Sequence, residues 1–273
     1  LKEGAPQDFA NKEKLQDLFL FQSTFTTSAE NAARASSANT DVTSETKDNA
    51  PSSAPRFTTL DEYISRMPAS QKDIYFLAAD NIQQAKNSPY LEKCKSKGFE
   101  VLLCVDPVDE FTMDALREYK SKKIQNITRE DLDIETEDEK KQREEERKNL
   151  QERFSSLIEK VKLALSEQIK DVKISDRLTE TAVCLVSDSQ GPTAKMEKLM
   201  AQFQGTGGDS VTTKRILEIN PKHPVLEKML GLDDEQVKTW SEILLGQALM
   251  NEGSQIPDPV RYSKLVNSLM IQH

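Results

Sequence analysis

Three short apolar runs separated by segments of helical periodicity constrain this chain more than any other feature. DIYFLAA at 73–79, EVLLCV at 100–105 and the weaker KIQNI at 123–127 have the length of buried strands. The stretches between them, 80–97 and 108–119, space their apolar residues as helices do. Strands alternating with helices at this interval join by right-handed crossovers, which predicts a small parallel sheet. Such a sheet first suggests a nucleotide-binding α/β enzyme built on residues 73–127. The turn after its first strand, however, is Ala79-Asp80-Asn81, with no glycine to admit a pyrophosphate. The GTGG loop at 205–208 lacks the Lys-Ser/Thr ending of a phosphate loop and follows a helix, so it reads as a helix terminator.

Around this block the text changes character several times. A short amphipathic helix is expected at 11–21 and another at 58–67. Between them, Ser, Thr, Ala and Asn make up 19 of the 28 residues from 28 to 55, and Val42 is the one large apolar side chain. Such a segment cannot offset its ordering entropy by burial, which predicts a flexible surface insertion. From 129 to 153, 18 of 25 residues are charged, 11 acidic and 7 basic, as expected of a solvated linker or exposed helix between domains. This runs into an amphipathic helix carrying Phe154, Leu157, Ile158, Val161, Ala164, Leu165 and Ile169 on one face. The last third is α+β: two strands at 170–178 and 181–187 that pair with each other, a helix from Pro192 to about 204, a strand at 216–219, and helices near 223–230, 234–251 and 258–271. Asp233 with Gln236 forms a capping box, and Asp258-Pro259 sets an N-cap before an N1 proline.

The chemistry available to the chain is narrow. Lys and Arg number 37 against 46 Asp and Glu, a net charge of −9, which argues against nucleic acid or an anionic membrane as partner. No apolar run approaches the ~18 residues of a membrane span. Two histidines offer no metal or catalytic partner by spacing, and His223 reads as structural. Cys94, Cys104 and Cys184 fit neither a CxxC pair nor a disulfide framework, so reduced thiols in the cytoplasm or an organelle matrix are expected. Catalytic, cofactor and metal residues are therefore expected to be absent.

Two apolar surfaces stand out instead. Met196, Leu199, Met200 and Phe203 fall at helical spacing, and deformable methionines suit a surface that meets varied partners, although core packing fits the same spacing. Val237, Trp240, Ile243, Leu244, Leu245, Ala248 and Leu249 cover more than one face of the penultimate helix. Tyr262, Leu265, Val266, Leu269 and Met270 stripe the last. A helix apolar on two faces needs two neighbours. A second copy of the chain would supply one through a four-helix bundle about a two-fold axis, and packing within one subunit is the other solution.

Several stretches together are recognisable: KEGAPQDFANKEKL at 2–15, YISRMPASQKDIYF at 63–76, SPYLEKCKSKGFEVLLCVDPVDEF at 88–111, VKISDRLTETAVCLV at 172–186 and LEINPKHPVLEKM at 217–229. In this text and order the chain resembles the C-terminal portion of the ninety-kilodalton heat-shock protein chaperones, in particular the bacterial high-temperature protein G type. The resemblance covers nearly all of the chain except 28–55 and the charged stretch. It implies the end of a middle domain at 1–127 and a C-terminal dimerisation domain at 128–273. It implies a stress-response chaperone that binds unfolded client proteins, with ATP and magnesium bound upstream of Leu1, so that the parent is an ATPase and this portion is not an enzyme. Client contacts would fall on Phe111, Met196, Leu199, Met200 and Phe203. The homodimer seam would be formed by Val237, Trp240, Leu244, Leu245, Ala248, Tyr262, Leu265 and Leu269. The chain closes on SLMIQH without the acidic MEEVD tail that recruits tetratricopeptide-repeat cochaperones, which points to a bacterial or organellar member without those partners.

Overall fold

A computed structural model describes residues 2, 4, 11–25, 57–204 and 213–271. The expected insertion at 28–55 and the 205–208 loop lie outside the described residues.

In chain order the N-terminal half holds α1 (Lys12–Gln16), β1 (Gln22–Ser23), α2 (Leu60–Arg66), β2 (Ile74–Ala78), α3 (Ile82–Lys86), a 3-10 turn at Pro89–Leu91, α4 (Glu92–Ser96), β3 (Leu102–Cys104), α5 (Pro107–Leu116), β4 (Glu118–Tyr119) and β5 (Lys122–Asn126). The sheet runs β1-β3-β2-β5-β4, with β2 parallel to both β3 and β5 and the two edge strands antiparallel. The crossover pattern of the sequence is therefore present. Two expected helices are shorter than their periodicity implied: 11–21 is helical only over α1, and 80–97 breaks into three pieces. The break falls at Ser88-Pro89, where proline fixes φ and Ser88 accepts from the Tyr90 N–H to restart the turn.

The C-terminal half begins with α6 (Glu137–Ala164), followed by β6 (Ile169–Ile174), β7 (Val183–Val186), α7 (Ala194–Gln204), β8 (Arg215–Ile219), α8 (Pro224–Met229), α9 (Asp234–Glu252) and α10 (Pro259–Ile271). Strands β6 and β7, expected to pair with each other, do not. β8 inserts between them, parallel to β6 and antiparallel to β7, with Leu217 opposite both Val172 and Leu185. Buried on both faces, a central strand such as RILEI needs a partner on each edge, which leaves β6 and β7 on opposite sides. Of the two forms expected for the charged stretch, the exposed helix is present from Glu137 onward. Residues 129–136 run along the junction, and a Thr136–Glu139 capping box starts one continuous helix through Ala164.

Alternation along β2 decides where the core sits. Ile74 and Phe76 face a cluster with Phe19, Tyr63, Leu102 and Met113. Tyr75 and Leu77 face a second cluster with Leu91, Val101 and Leu103, and this one continues into Cys184, Val186 and Ile216 of the C-terminal sheet. The two sheets thus share buried apolar contacts. A third cluster lies beneath α6, α8 and α9 and joins Phe154, Val161, Leu217, Leu226, Leu244 and Ala248.

Candidate functional site

Buried charge closes the junction between the sheets. Arg177 is buried and forms a two-pronged pair with Glu218, Nε to Oε2 at 2.9 Å and Nη2 to Oε1 at 3.1 Å. The same guanidinium donates to the carbonyls of Ile127 at 2.5 Å and Arg129 at 2.8 Å. Arg129 in turn donates to the carbonyls of Asp188, Ser189 and Gly191 and pairs with Asp114 at 3.1 Å. The planar, multiply donating guanidinium suits such a task where an ammonium would not.

Glu110, in the first turn of α5, is fully buried. Its Oε1 accepts from Asn126 Nδ2 at 2.9 Å and from Thr193 Oγ1 at 2.6 Å, while Oε2 has no partner. Burial pushes this carboxyl up to about 7, against the lowering effect of the Thr193 hydroxyl. Thr193 also accepts from the Met196 N–H at 3.2 Å and so holds the start of α7. Glu110 therefore joins α5, which carries Phe111, to α7, which carries the methionine stripe. Sequence reasoning passed over Glu110, Arg177 and Arg129 because an acid in a first helical turn and arginines among charges look like ordinary surface residues.

On α7, Met196 and Leu199 are buried, Met200 is 44% exposed, and the Phe203 side chain lies outside the described residues. Phe111 is half-buried. A cavity of about 1100 Å³ separates α7 from the end of α9, lined among others by Pro107, Leu199, Ala201, Leu245, Leu249 and Pro257. Lys195 fills the crevice at the carboxyl ends of the parallel strands, donating to the Ala79 carbonyl at 2.6 Å and the Cys104 carbonyl at 3.1 Å. That crevice is where an open parallel sheet would bind a nucleotide.

The other expected surface divides in two. Val237, Leu244, Leu245 and Ala248 of α9 are buried in the chain's own core, and Trp240 is half-buried at its margin. None of the α10 side chains is buried. Tyr262, Leu265 and Leu269 are half-exposed, and the Tyr262 ring lies against the α9 backbone at Gly246. Val260, Met270 and Ile271 are 65%, 72% and 84% exposed. One clamp tethers α10, Arg261 reaching both oxygens of Glu242 at 2.8 Å.

Little else offers chemistry. Burial pushes the Cys94 thiol up to about 12 and raises those of Cys104 and Cys184 well above the ordinary thiol value, so all three are poor nucleophiles. His223 caps α8, its Nδ1 accepting from the Val225 N–H at 3.2 Å. Among the described residues no group of three or more His, Cys, Asp or Glu could hold a metal, and no helix is long and apolar enough to cross a membrane.

A family model described as "Hsp90 protein" matches residues 46–273, and the chain belongs to the Hsp90 family. It is 49% identical over 272 residues, covering all of this chain, to a protein of Bdellovibrio bacteriovorus named chaperone protein HtpG. Proteins of the same name from Geobacter sulfurreducens and Geobacter metallireducens are each 38% identical over 276 residues, covering 99% of this chain. The chain spans about two fifths of the length of these relatives, 38–39%.

Proposed function

We propose that this chain is the dimerisation and client-binding portion of an ATP-dependent, cytoplasmic molecular chaperone that assists the folding of other proteins. The observation that carries the reading is α10, a 13-residue helix with an apolar stripe and no buried side chain. An amphipathic helix gains most of its stability from covering its apolar face, so this one calls for a partner. A second copy, related by a two-fold axis, would bring α10 and the exposed part of α9 together as an isologous four-helix bundle. The relatives' names, and a length more than twice this chain's, support placing the ATP and magnesium site elsewhere in the parent. Within this chain, the lysine-filled crevice at the strand ends weighs against a nucleotide site on the first sheet. Unfolded polypeptide would meet Phe111, Met196, Leu199, Met200 and Phe203, of which Leu199 lines the cavity and Met200 is exposed. The domain boundary near residue 127 falls where the first sheet gives way to the charged junction.

Sedimentation equilibrium tests the seam. The wild type is expected to be a dimer at micromolar concentration. Leu269→Glu, which places a charge on the half-exposed face, should weaken association by about 100-fold or more while leaving the fold intact. A wild type that stays monomeric would sink the seam. For the client surface, Phe111→Ser with Met200→Ser should lose aggregation suppression and remain dimeric. Unchanged suppression would count against those residues.

A further inference from the structure

Three polar side chains of α7, Lys195, Glu197 and Lys198, reach in different directions, and two of the resulting chains of bonds end at the same place. Glu197 Oε2 pairs with Arg215 Nη2 at 3.1 Å, and Arg215 Nη1 continues to Glu252, the last residue of α9. All three side chains are close to fully buried. Lys198 Nζ pairs with Asp80 Oδ2 at 2.9 Å and also donates to the carbonyl of Gly253, the C-cap of α9. Lys195, one turn back, holds the ends of β2 and β3.

The end of α9 is shaped for this contact. Gly253 takes φ +85, and a Cβ there would collide with the amide of Gln84, so a side chain is excluded by both conformation and space. Gln84 in turn accepts from the Asp80 N–H at 3.2 Å. A cation at a helix C-terminus is favoured by the helix dipole, whereas a carboxylate there is not. Lys198 satisfies the first condition and Arg215 offsets the second.

We propose that Arg215 and Lys198 are positioning residues that couple the C-terminal end of α9 to α7, so that association of two copies through α9 and α10 and polypeptide binding on α7 are energetically linked. This rests on the seam and client surfaces proposed above. A shift of α9 within the bundle moves Glu252 and Gly253; the buried Arg215 pairs carry that shift into Glu197, and the Gly253 carbonyl carries it into Lys198. By linkage, polypeptide bound at α7 tightens the dimer by the same factor that the dimer tightens polypeptide.

The test compares dimer and monomer in two backgrounds. The probe is fluorescein-labelled, reduced and carboxymethylated α-lactalbumin, with amide hydrogen exchange of residues 194–202 as a second readout. Leu269→Glu supplies the monomer. In the otherwise wild-type chain, monomerisation should weaken probe binding about 5-fold or more and speed α7 exchange by a similar factor. In the Arg215→Met/Glu252→Gln background, chosen to avoid leaving Glu252 as a lone buried charge, both differences should shrink below about 2-fold. Lys198→Met, whose partner Asp80 is half-exposed, should shrink them partly and serves if the double variant does not fold. Equal dimer-to-monomer differences with and without the clamp would overturn the coupling. Absence of probe binding to the wild type would overturn the client reading and the coupling with it, whereas intact probe binding with equal differences in both backgrounds overturns the coupling alone. A monomeric wild type would overturn the seam and the coupling together.

Discussion

The junction between the two sheets and the outer face of α10 are both contact surfaces, made of opposite materials. At the junction, Arg177, Glu218, Glu110, Thr193 and Asn126 are buried and matched to one another at hydrogen-bond distance. On α10, Leu265 and Leu269 lie half in water, with Met270 and Ile271 almost bare. A buried charge is tolerated only where its partner is guaranteed, which means inside one chain folding as a unit. An apolar face can wait in water at modest cost until a partner arrives. The difference teaches which contact is permanent and which is conditional. The first holds the sheets as one body, and the second suits association that depends on concentration.

The largest effect should come from breaking the permanent side. Arg177→Met leaves Glu218 buried without its guanidinium and strips a donor from the Ile127 and Arg129 carbonyls. The expected loss is about 3–5 kcal/mol, read as a lowered urea midpoint. Replacing Arg177 and Glu218 together by Met should cost much less, because no lone charge remains. A single variant as stable as the double would show that the pair is not what closes the junction.

A smaller effect is set by pH. The Glu110 carboxyl is raised from its ordinary 4.5 to about 7 by burial, in the company of Asp114, Lys195 and Arg129. The folded chain therefore binds more protons than the unfolded one between those values, and the contribution of this group falls as pH rises from 4.5 to 7. The span is on the order of 3 kcal/mol. Glu110→Gln keeps an acceptor for Asn126 and Thr193 without the charge. It should leave stability at pH 4.5 unchanged and raise it at pH 8, flattening the profile measured by urea titration. A profile as steep as wild type would place the proton elsewhere.

Much of this was legible beforehand, and the physical reason is periodicity. DIYFLAA, EVLLCV and KIQNI are strands in a parallel core, and the Asp233 and Asp258 caps start their helices where expected. Order within the second sheet was not legible. KDVKISDRL and TAVCLVS are compatible with each other as partners, and only three-dimensional closure decides that ILEI lies between them. The spacing of α9 predicts apolar residues on more than one face, and Val237, Leu244, Leu245 and Ala248 are buried in the chain's own core while no α10 side chain is buried. Spacing reveals that a helix has two apolar faces, but not which one its own chain takes. Glu110 and Arg215 were invisible for a related reason, since a charged letter carries no mark of burial.

The smallest effect probes how firmly α10 is seated. Gly246 sits within α9 where an added Cβ would stand 2.5 Å from Cδ2 and Cε2 of Tyr262. Glycine in a helix interior costs ~1 kcal/mol relative to alanine, so Gly246→Ala should strengthen α9 by that amount if nothing opposed it. The half-exposed Tyr262 ring must move aside, and α10 has little else on this side besides the Arg261–Glu242 clamp. The two effects should nearly cancel in global stability while amide exchange across Pro259–Ile271 becomes faster. In a Tyr262→Ala background the collision is gone, and the same substitution should then stabilise by the full ~1 kcal/mol. A stabilisation equal in both backgrounds would mean that the ring is not what seats α10. The comparison would then shift, with α10 held to its own chain by charge alone and its entire apolar face left for the partner.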